Sequence, residues 1–199
     1  MIGIIQKVLV DLLVNTGGTE LKQAVFARAG VPLDRNFRID QNYPDDECLR
    51  LIHAAVAETG LPAQQIYTLY AKAFLQEAKS LFPRFFEIST SSEAFLMRQA
   101  TIHAVMASGL QQSVDRKKVT DKFSATQLAP GSIQIEYRSA NLLCGIFKAL
   151  AHELAGFYNE SLTVSCARCV KRGDGECCFV LQWPYAANKN TSADIIECG

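Results

Sequence analysis

The chain has no excess of charge of either sign: 20 Lys+Arg stand against 20 Asp+Glu, a formal net charge of +0. No global field draws it to nucleic acid or to an anionic membrane, so neither is an expected partner. A long uninterrupted apolar run is also missing. The stretch around Leu142–Leu154 comes nearest, but Lys148 and His152 break it, and it is too short and polar to span a bilayer. The opening MIGIIQKVLVDLLV begins apolar, yet Lys7 and Asp11 interrupt it at helical spacing and no small-residue cleavage site follows. A soluble, cytoplasmic protein is expected. There is no internal repeat. Nucleophile elbow, phosphate loop, paired carboxylates and metalloprotease helix are all absent, so an enzyme is not expected.

What is present is globular. The 199 residues are 49% hydrophobic and 20% charged, enough for one sizeable core or for two sub-domains sharing one. The spacing predicts an amphipathic helix over residues 2–14, with Ile5, Val8, Leu9 and Leu12 on one stripe, broken at Gly17-Gly18 and resumed over Thr19–Ala29. Pro44-Asp45-Asp46 opens a helix to Thr59, acidic at its start as the helix dipole prefers. A long helix follows over Ala63–Leu81, and Pro83 ends it. The second half alternates. Phe123–Leu128 and Ser132–Arg138 read as a hairpin around Ala129-Pro130-Gly131, Asn141–Tyr158 as a helix, and Leu162–Val170 with Glu176–Trp183 as a second hairpin. The polar segment Gln111–Lys122, with Arg116, Lys117 and Lys118 in a row, reads as a solvated loop. Helices first, then antiparallel strands with a helix between hairpins, make an α+β fold.

Glu93–Leu110 stands out. It reads as one helix with Leu96, Ala100, His103, Ala107 and Leu110 on one face. Ala100 and Ala107 flank the imidazole with little bulk, so a flat partner could approach it. His103 is either a core histidine bonded to a backbone carbonyl or an axial metal or haem ligand. His53 and His152 read as structural.

The 7 cysteines form an odd count in a chain with no evident signal, which favours metal ligation or free thiols over a disulfide framework. Seven residues separate Cys166-x-x-Cys169 from Cys177 in the final hairpin, a spacing that can place three sulfurs on one ion. Cys178 should face the other side of its strand. Free or oxidisable thiols are the competing reading.

In the order of its elements the chain resembles the haem nitric-oxide/oxygen binding (H-NOX) domains, a family of gas sensors. The likeness runs from Met1 to about Trp183. It rests on the opening MIGIIQKVL, on Phe82-Pro83-Arg84-Phe85-Phe86 leading through Phe95-Leu96 to Ile102-His103, and on Tyr137-Arg138-Ser139 as the start of a Tyr-x-Ser-x-Arg motif. The resemblance implies an N-terminal helical sub-domain and a C-terminal four-stranded antiparallel sheet with helices, haem between them. The boundaries it suggests are a distal unit at 1–62, a proximal haem-binding unit at 63–183 and a tail at 184–199.

By the same resemblance haem b is the cofactor and His103 its axial ligand, with Tyr137 and Ser139 on the propionates. The motif arginine is replaced by Asn141, which offers only neutral donors and weakens haem retention by about 1–3 kcal/mol. Arg138 or a residue of the Arg116–Lys118 run is the candidate to compensate. The distal tyrosine of oxygen-holding members falls at Ile146, and the other pocket positions at Ile5, Leu9, Phe74, Ala78 and Leu150. None donates a side-chain hydrogen bond, so NO and CO binding with poor O2 retention is implied. Some members carry structural zinc, which would here be held by Cys144, Cys166, Cys169 and Cys177. The implied partner is a separate signalling protein such as a histidine kinase or a cyclic-di-GMP enzyme. The alternative is a zinc-thiolate redox sensor on the same scaffold with haem weakly bound or lost.

Overall fold

A computed structural model describes residues 2–110, 113–139 and 141–184, the Lys118 side chain excepted. The expected tail at 184–199 lies almost wholly outside the described residues. The chain divides into two compact units, Met1–Ala78 and Lys79–Gly199.

In the first unit α1 (Ile4–Ala29) is two helical stretches meeting at a kink, where Gly17 has φ −133° and Gly18 has φ 68°. The positive φ at Gly18 is open to glycine and strained for other residues, which is why the break expected at Gly17-Gly18 occurs there. Gly30, at φ 63°, closes the helix in a left-handed cap. Helices α2 (Asp45–Thr59) and α3 (Ala63–Leu81) have the expected bounds. Asp45, Asp46 and Glu47 fill the first turn of α2. Leu9, Leu13, Val25, Phe26, Leu51 and Tyr70 are buried, and the Tyr70 hydroxyl donates to the Ile5 carbonyl at 3.2 Å, fastening α3 to α1.

The second unit contains α4 (Pro83–Glu87), α5 (Ser92–Met97), α6 (Gln99–Ser108), α7 (Ser113–Thr120), β1 (Phe123–Ala129), β2 (Ser132–Tyr137), α8 (Cys144–Phe157), β3 (Thr163–Arg168) and β4 (Cys177–Gln182). The strands form one four-stranded antiparallel sheet in the order β1-β2-β4-β3. Its core comes from alternation: Ile133, Ile135 and Tyr137 of β2 are buried beside Cys177, Phe179 and Leu181 of β4.

Two expectations are corrected. The segment Glu93–Leu110 is not one helix, because Arg98 sits between α5 and α6 at φ −96°, ψ 8°. Its N–H donates to the Phe95 carbonyl only three residues back, at 3.0 Å, and that tight turn redirects the chain before His103. The periodicity of apolar residues continues across the turn, so the sequence gives no sign of it. Second, the polar loop expected at Gln111–Lys122 contains α7. Its one buried apolar residue, Val119, carries too little period to read, while the Arg116 guanidinium donating to the Leu110 carbonyl at 2.8 Å ties it to the preceding helix.

Candidate functional site

His103 stands in the second turn of α6, with the backbone of Ala107 one turn on. Its ring packs against Phe123, the first residue of β1, with centroids 4.6 Å apart and planes at 45°. The ring makes no hydrogen bond among the described residues, and Nδ1 is buried without a partner. A buried imidazole nitrogen without a protein partner among the described residues is open to a ligand. Burial, with the Lys122 charge as a lesser cause, lowers the pKa from 6.5 to about 4. The ring is therefore neutral at pH 7 and keeps the lone pair that metal ligation requires.

Beyond Phe123 the aromatic rings continue. Phe123 and Tyr137 face each other across the β1–β2 register with centroids 4.8 Å apart. Phe147 of α8 closes the cluster at 5.6 Å from Phe123 and 4.8 Å from Phe179. Tyr137 thus comes to His103 through one intervening ring, although 33 residues separate them.

The hydroxyls of Tyr137 and Ser139 converge on a single oxygen. Tyr137 donates to Asn141 Oδ1 at 3.1 Å and Ser139 to the same atom at 2.6 Å. Two donors aimed at one oxygen form a cradle suited to a carboxylate, and the Asn141 carboxamide occupies it here. Arg138 is directed elsewhere. Strand alternation puts it on the opposite face, where it pairs with Glu136 and, at 3.0 Å, with Glu176, and donates to Ser124 Oγ at 3.2 Å. It is not available to the cradle, which corrects the expectation that it replaces the motif arginine.

Three of the four expected cysteines come together. Sγ atoms of Cys144, Cys169 and Cys177 all lie within 4.8 Å of one another, with 3.7 Å between Cys144 and Cys169 and 3.9 Å between Cys169 and Cys177. Sulfurs at about 2.3 Å from a tetrahedral ion stand roughly 3.8 Å apart, so this spacing fits a single zinc. The turn is shaped for it: Cys169 N–H donates to Asp174 Oδ2 at 2.7 Å, Val170 N–H points at Cys177 Sγ at 3.4 Å, and Gly173 turns the chain at φ 91°. Burial raises the Cys144 thiol and pushes Cys177 up to about 12 in the metal-free state. Cys166 does not join the trio, because it is disulfide-bonded and such a sulfur is not a thiolate. Cys178 pairs in register with Glu136 on the opposite face, as strand alternation requires.

The six expected apolar pocket residues divide between the units. In the first, Leu9 is buried, Ile5 and Ala78 are half-buried, and Phe74 is half-buried with its ring 5.9 Å from Tyr70. In the second, Ile146 is buried and Leu150 half-buried on α8. Sequence reasoning missed Phe123, whose ring stands against His103, because its position depends on strand pairing. It also missed Gln6, whose side chain is 0% exposed with neither amide atom hydrogen-bonded. That signal was legible as a glutamine within an apolar stripe.

The description "Haem-NO-binding" belongs to the family model that matches residues 2–166. Among solved structures, the chain is similar to an H-NOX protein from S. oneidensis in the Fe(II)NO ligation state, with TM-score 0.74, 18% identity, and 93% of this chain and 100% of that one covered. It is similar also to the I5F mutant of T. tengcongensis H-NOX, with TM-score 0.77, 18% identity, and 93% and 98% covered. A third likeness is to an oxygen-binding H-NOX domain related to soluble guanylate cyclases, with TM-score 0.73, 18% identity, and 97% and 100% covered. No curated protein sequence matches. The helical half with its four-stranded antiparallel sheet is the fold these structures share.

Proposed function

The chain belongs to the haem-NO-binding family, a family of haem-based gas sensors, and from that premise we propose that it is a haem b sensor of NO that also takes CO and holds O2 poorly. His103 would hold its iron. The observation that carries the reading is the His103 imidazole itself, neutral at pH 7, with a buried nitrogen that bonds to nothing else among the described residues. Tyr137 and Ser139 present the carboxylate cradle, with Asn141 at its rim. Bound there, ferrous haem supplies an axial position open to a diatomic gas.

The chain's own part is threefold. The aromatic cluster of Phe123, Tyr137 and Phe147 keeps the imidazole dry and neutral. None of Ile5, Leu9, Phe74, Ala78, Ile146 and Leu150 has a side-chain donor for partially anionic O2, whereas NO needs none. Helix α6 carries His103, so it is the element whose position would report ligation. A decisive report, from 1:99 to 99:1, takes about 5.5 kcal/mol of differential ligand affinity. The readout goes to a separate signalling protein, of which a histidine kinase or a cyclic-di-GMP enzyme are the candidates. Among the described residues no helix is long and apolar enough to cross a membrane.

Cys144, Cys169 and Cys177 would hold a structural zinc in the same unit, with Cys166, once reduced, as the fourth ligand that the family resemblance implies. The sulfur cluster also supports a second reading, a zinc-thiolate redox sensor with haem weakly bound or lost. Absorption spectra of the ferrous protein with and without NO, for wild type and His103→Gly, test the first. An iron-porphyrin band that shifts on NO addition and depends on His103 is expected. Purified protein that takes up no porphyrin, while retaining peroxide-releasable zinc, leaves only the second.

A further inference from the structure

The carboxylate cradle and the sulfur trio are joined by one short stretch of chain. Asn141 Oδ1 receives the hydroxyls of Tyr137 and Ser139 at 3.1 and 2.6 Å. Three residues later comes Cys144, whose Sγ lies 3.7 Å from that of Cys169. The two sites also use the same pair of strands. Tyr137 and Cys177 are partners in the β2–β4 register, so their side chains leave the same face of the sheet.

The connecting turn is strained. Leu142 has φ 55°, in the left-handed region that a residue with a Cβ enters only at a cost, and it is 46% exposed, so burial of its own side chain does not hold it there. Leu143, at φ −90° and ψ 26°, then opens α8 without a side-chain cap, and Cys144 is the first residue of that helix. Such a conformation persists where its neighbours fix it. On one side the fixed point is the Asn141 carboxamide, 3% exposed and bonded to two hydroxyls. On the other it is the buried Cys144 thiol against Cys169.

We propose that residues 141–144 couple the two sites, so that a carboxylate in the cradle loosens the hold of the sulfur trio on zinc. This inference rests on the reading of the chain as a haem binder with zinc at Cys144, Cys169 and Cys177. Each hydroxyl has a single proton to donate. When a carboxylate takes both, Asn141 Oδ1 loses the two bonds and the turn is released from its strained conformation at that end. Cys144 then leaves the spacing that fits a tetrahedral ion. Cys169 and Cys177 stay, fastened within their own hairpin by the Cys169 N–H bond to Asp174 and the Val170 N–H at the Cys177 sulfur. The coupling is reciprocal: zinc opposes entry of the carboxylate by the factor by which the carboxylate opposes zinc.

The test measures zinc affinity of the full chain by equilibrium dialysis against buffered zinc, with a phosphine reductant present throughout and bound metal counted by mass spectrometry. Three states are compared: without porphyrin, saturated with ferric haem, and saturated with haem dimethyl ester, which lacks the carboxylate charges. Free-acid haem is expected to weaken zinc binding roughly five- to fiftyfold, and the ester by less than about twofold. Asn141→Ala should bind zinc weakly in all three states, with no difference between acid and ester. Asn141→Asp keeps an acceptor for the two hydroxyls and should bind zinc within about threefold of wild type when no porphyrin is present. Equal zinc affinity of the wild type with and without free-acid haem overturns the proposal. So does equal weakening by acid and ester, which marks an effect of porphyrin bulk, and so does an Asn141→Ala variant that still separates the two. Ser139→Ala, which removes one donor and should narrow the gap between acid and ester, stands in if Asn141→Ala does not fold. A chain that binds zinc but neither porphyrin defeats the haem reading. One that takes up haem but no zinc defeats the zinc reading and the coupling with it, whereas uptake of both without mutual effect defeats only the coupling.

Discussion

Tyr137 Oη and Asn141 Oδ1 are joined at 3.1 Å inside the second unit, and the oxygen that receives this bond also receives the Ser139 hydroxyl at 2.6 Å. The tyrosine ends β2 and the asparagine sits just beyond it, 3% exposed, so the pair links the strand to the approach of α8. Leu142, in the left-handed region at φ 55°, then turns the chain into that helix.

Asn141→Ala removes the shared acceptor and leaves two hydroxyls to find other partners. The haem-free protein should lose about 1–3 kcal/mol of stability in urea denaturation. Tyr137→Phe, which removes one donor and leaves the Ser139 bond, should lose less. An Asn141→Ala variant as stable as wild type would show that the cradle does not organise the haem-free state.

The His103 environment sets a pH dependence in the haem-free protein. The folded-state pKa, about 4, lies below the ordinary 6.5, so between those values the unfolded chain binds the extra proton and the folded one does not. The associated stability is present above pH 6.5 and is lost as pH falls through the window to about 4, of order 3 kcal/mol in all. Denaturant midpoints between pH 4 and 7 for wild type and His103→Leu measure it. The variant's curve should be flatter over that interval, and superimposable curves would contradict the dry, neutral imidazole.

Metal removal should act on the second unit. Chelation of a zinc held by Cys144, Cys169 and Cys177 would return three closely spaced thiols to a buried setting, where burial raises the Cys177 thiol pKa. Zinc content near one equivalent is expected in the wild type. Cys177→Ser should lose the metal and lower the melting temperature by several degrees, while Cys178→Ser, on the opposite face, should keep it. Equal metal content in both variants would rule out the trio.

Gln6 carries the opposite sign. Its amide is 0% exposed and both of its polar atoms lack a protein partner among the described residues, in a helix whose neighbours Ile4, Val8 and Leu9 are buried and apolar. Gln6→Met keeps the volume and removes the unpaired polar groups, and should stabilise the haem-free protein by about 1–3 kcal/mol. Loss of stability in this variant would mean that the amide has a partner, such as an enclosed water.

Residues 45–59 and 63–81 show how far local pattern reaches. The acidic first turn and Gly60 cap of the one, and the apolar stripe of the other with Pro83 behind it, mark both helices with their bounds, because each such signal acts within a few residues of where it stands. The strands and their turns followed for the same reason, and Cys178 was set apart from Cys177 by alternation alone. His103 as a candidate ligand was legible from its small-residue flanks. The break at Arg98 was not, since a tight turn can leave the apolar period intact. Nor was α7, whose polar face shows no stripe.

What the chain's own order determined is therefore the identity of its chemistry: one imidazole on a helix, a tyrosine and a serine two residues apart on a strand, and a Cys-x-x-Cys before a third cysteine. What the tertiary structure decided is which of these meet. The β1–β2 register brought Phe123 beside Tyr137, and the β2–β4 register set Tyr137 opposite Cys177. The packing of α8 carried Cys144 onto Cys169, and a disulfide took Cys166 out of the set. Contacts of this kind join residues tens of positions apart, and their free energy comes from burial and pairing across the sheet, which no local window of sequence contains.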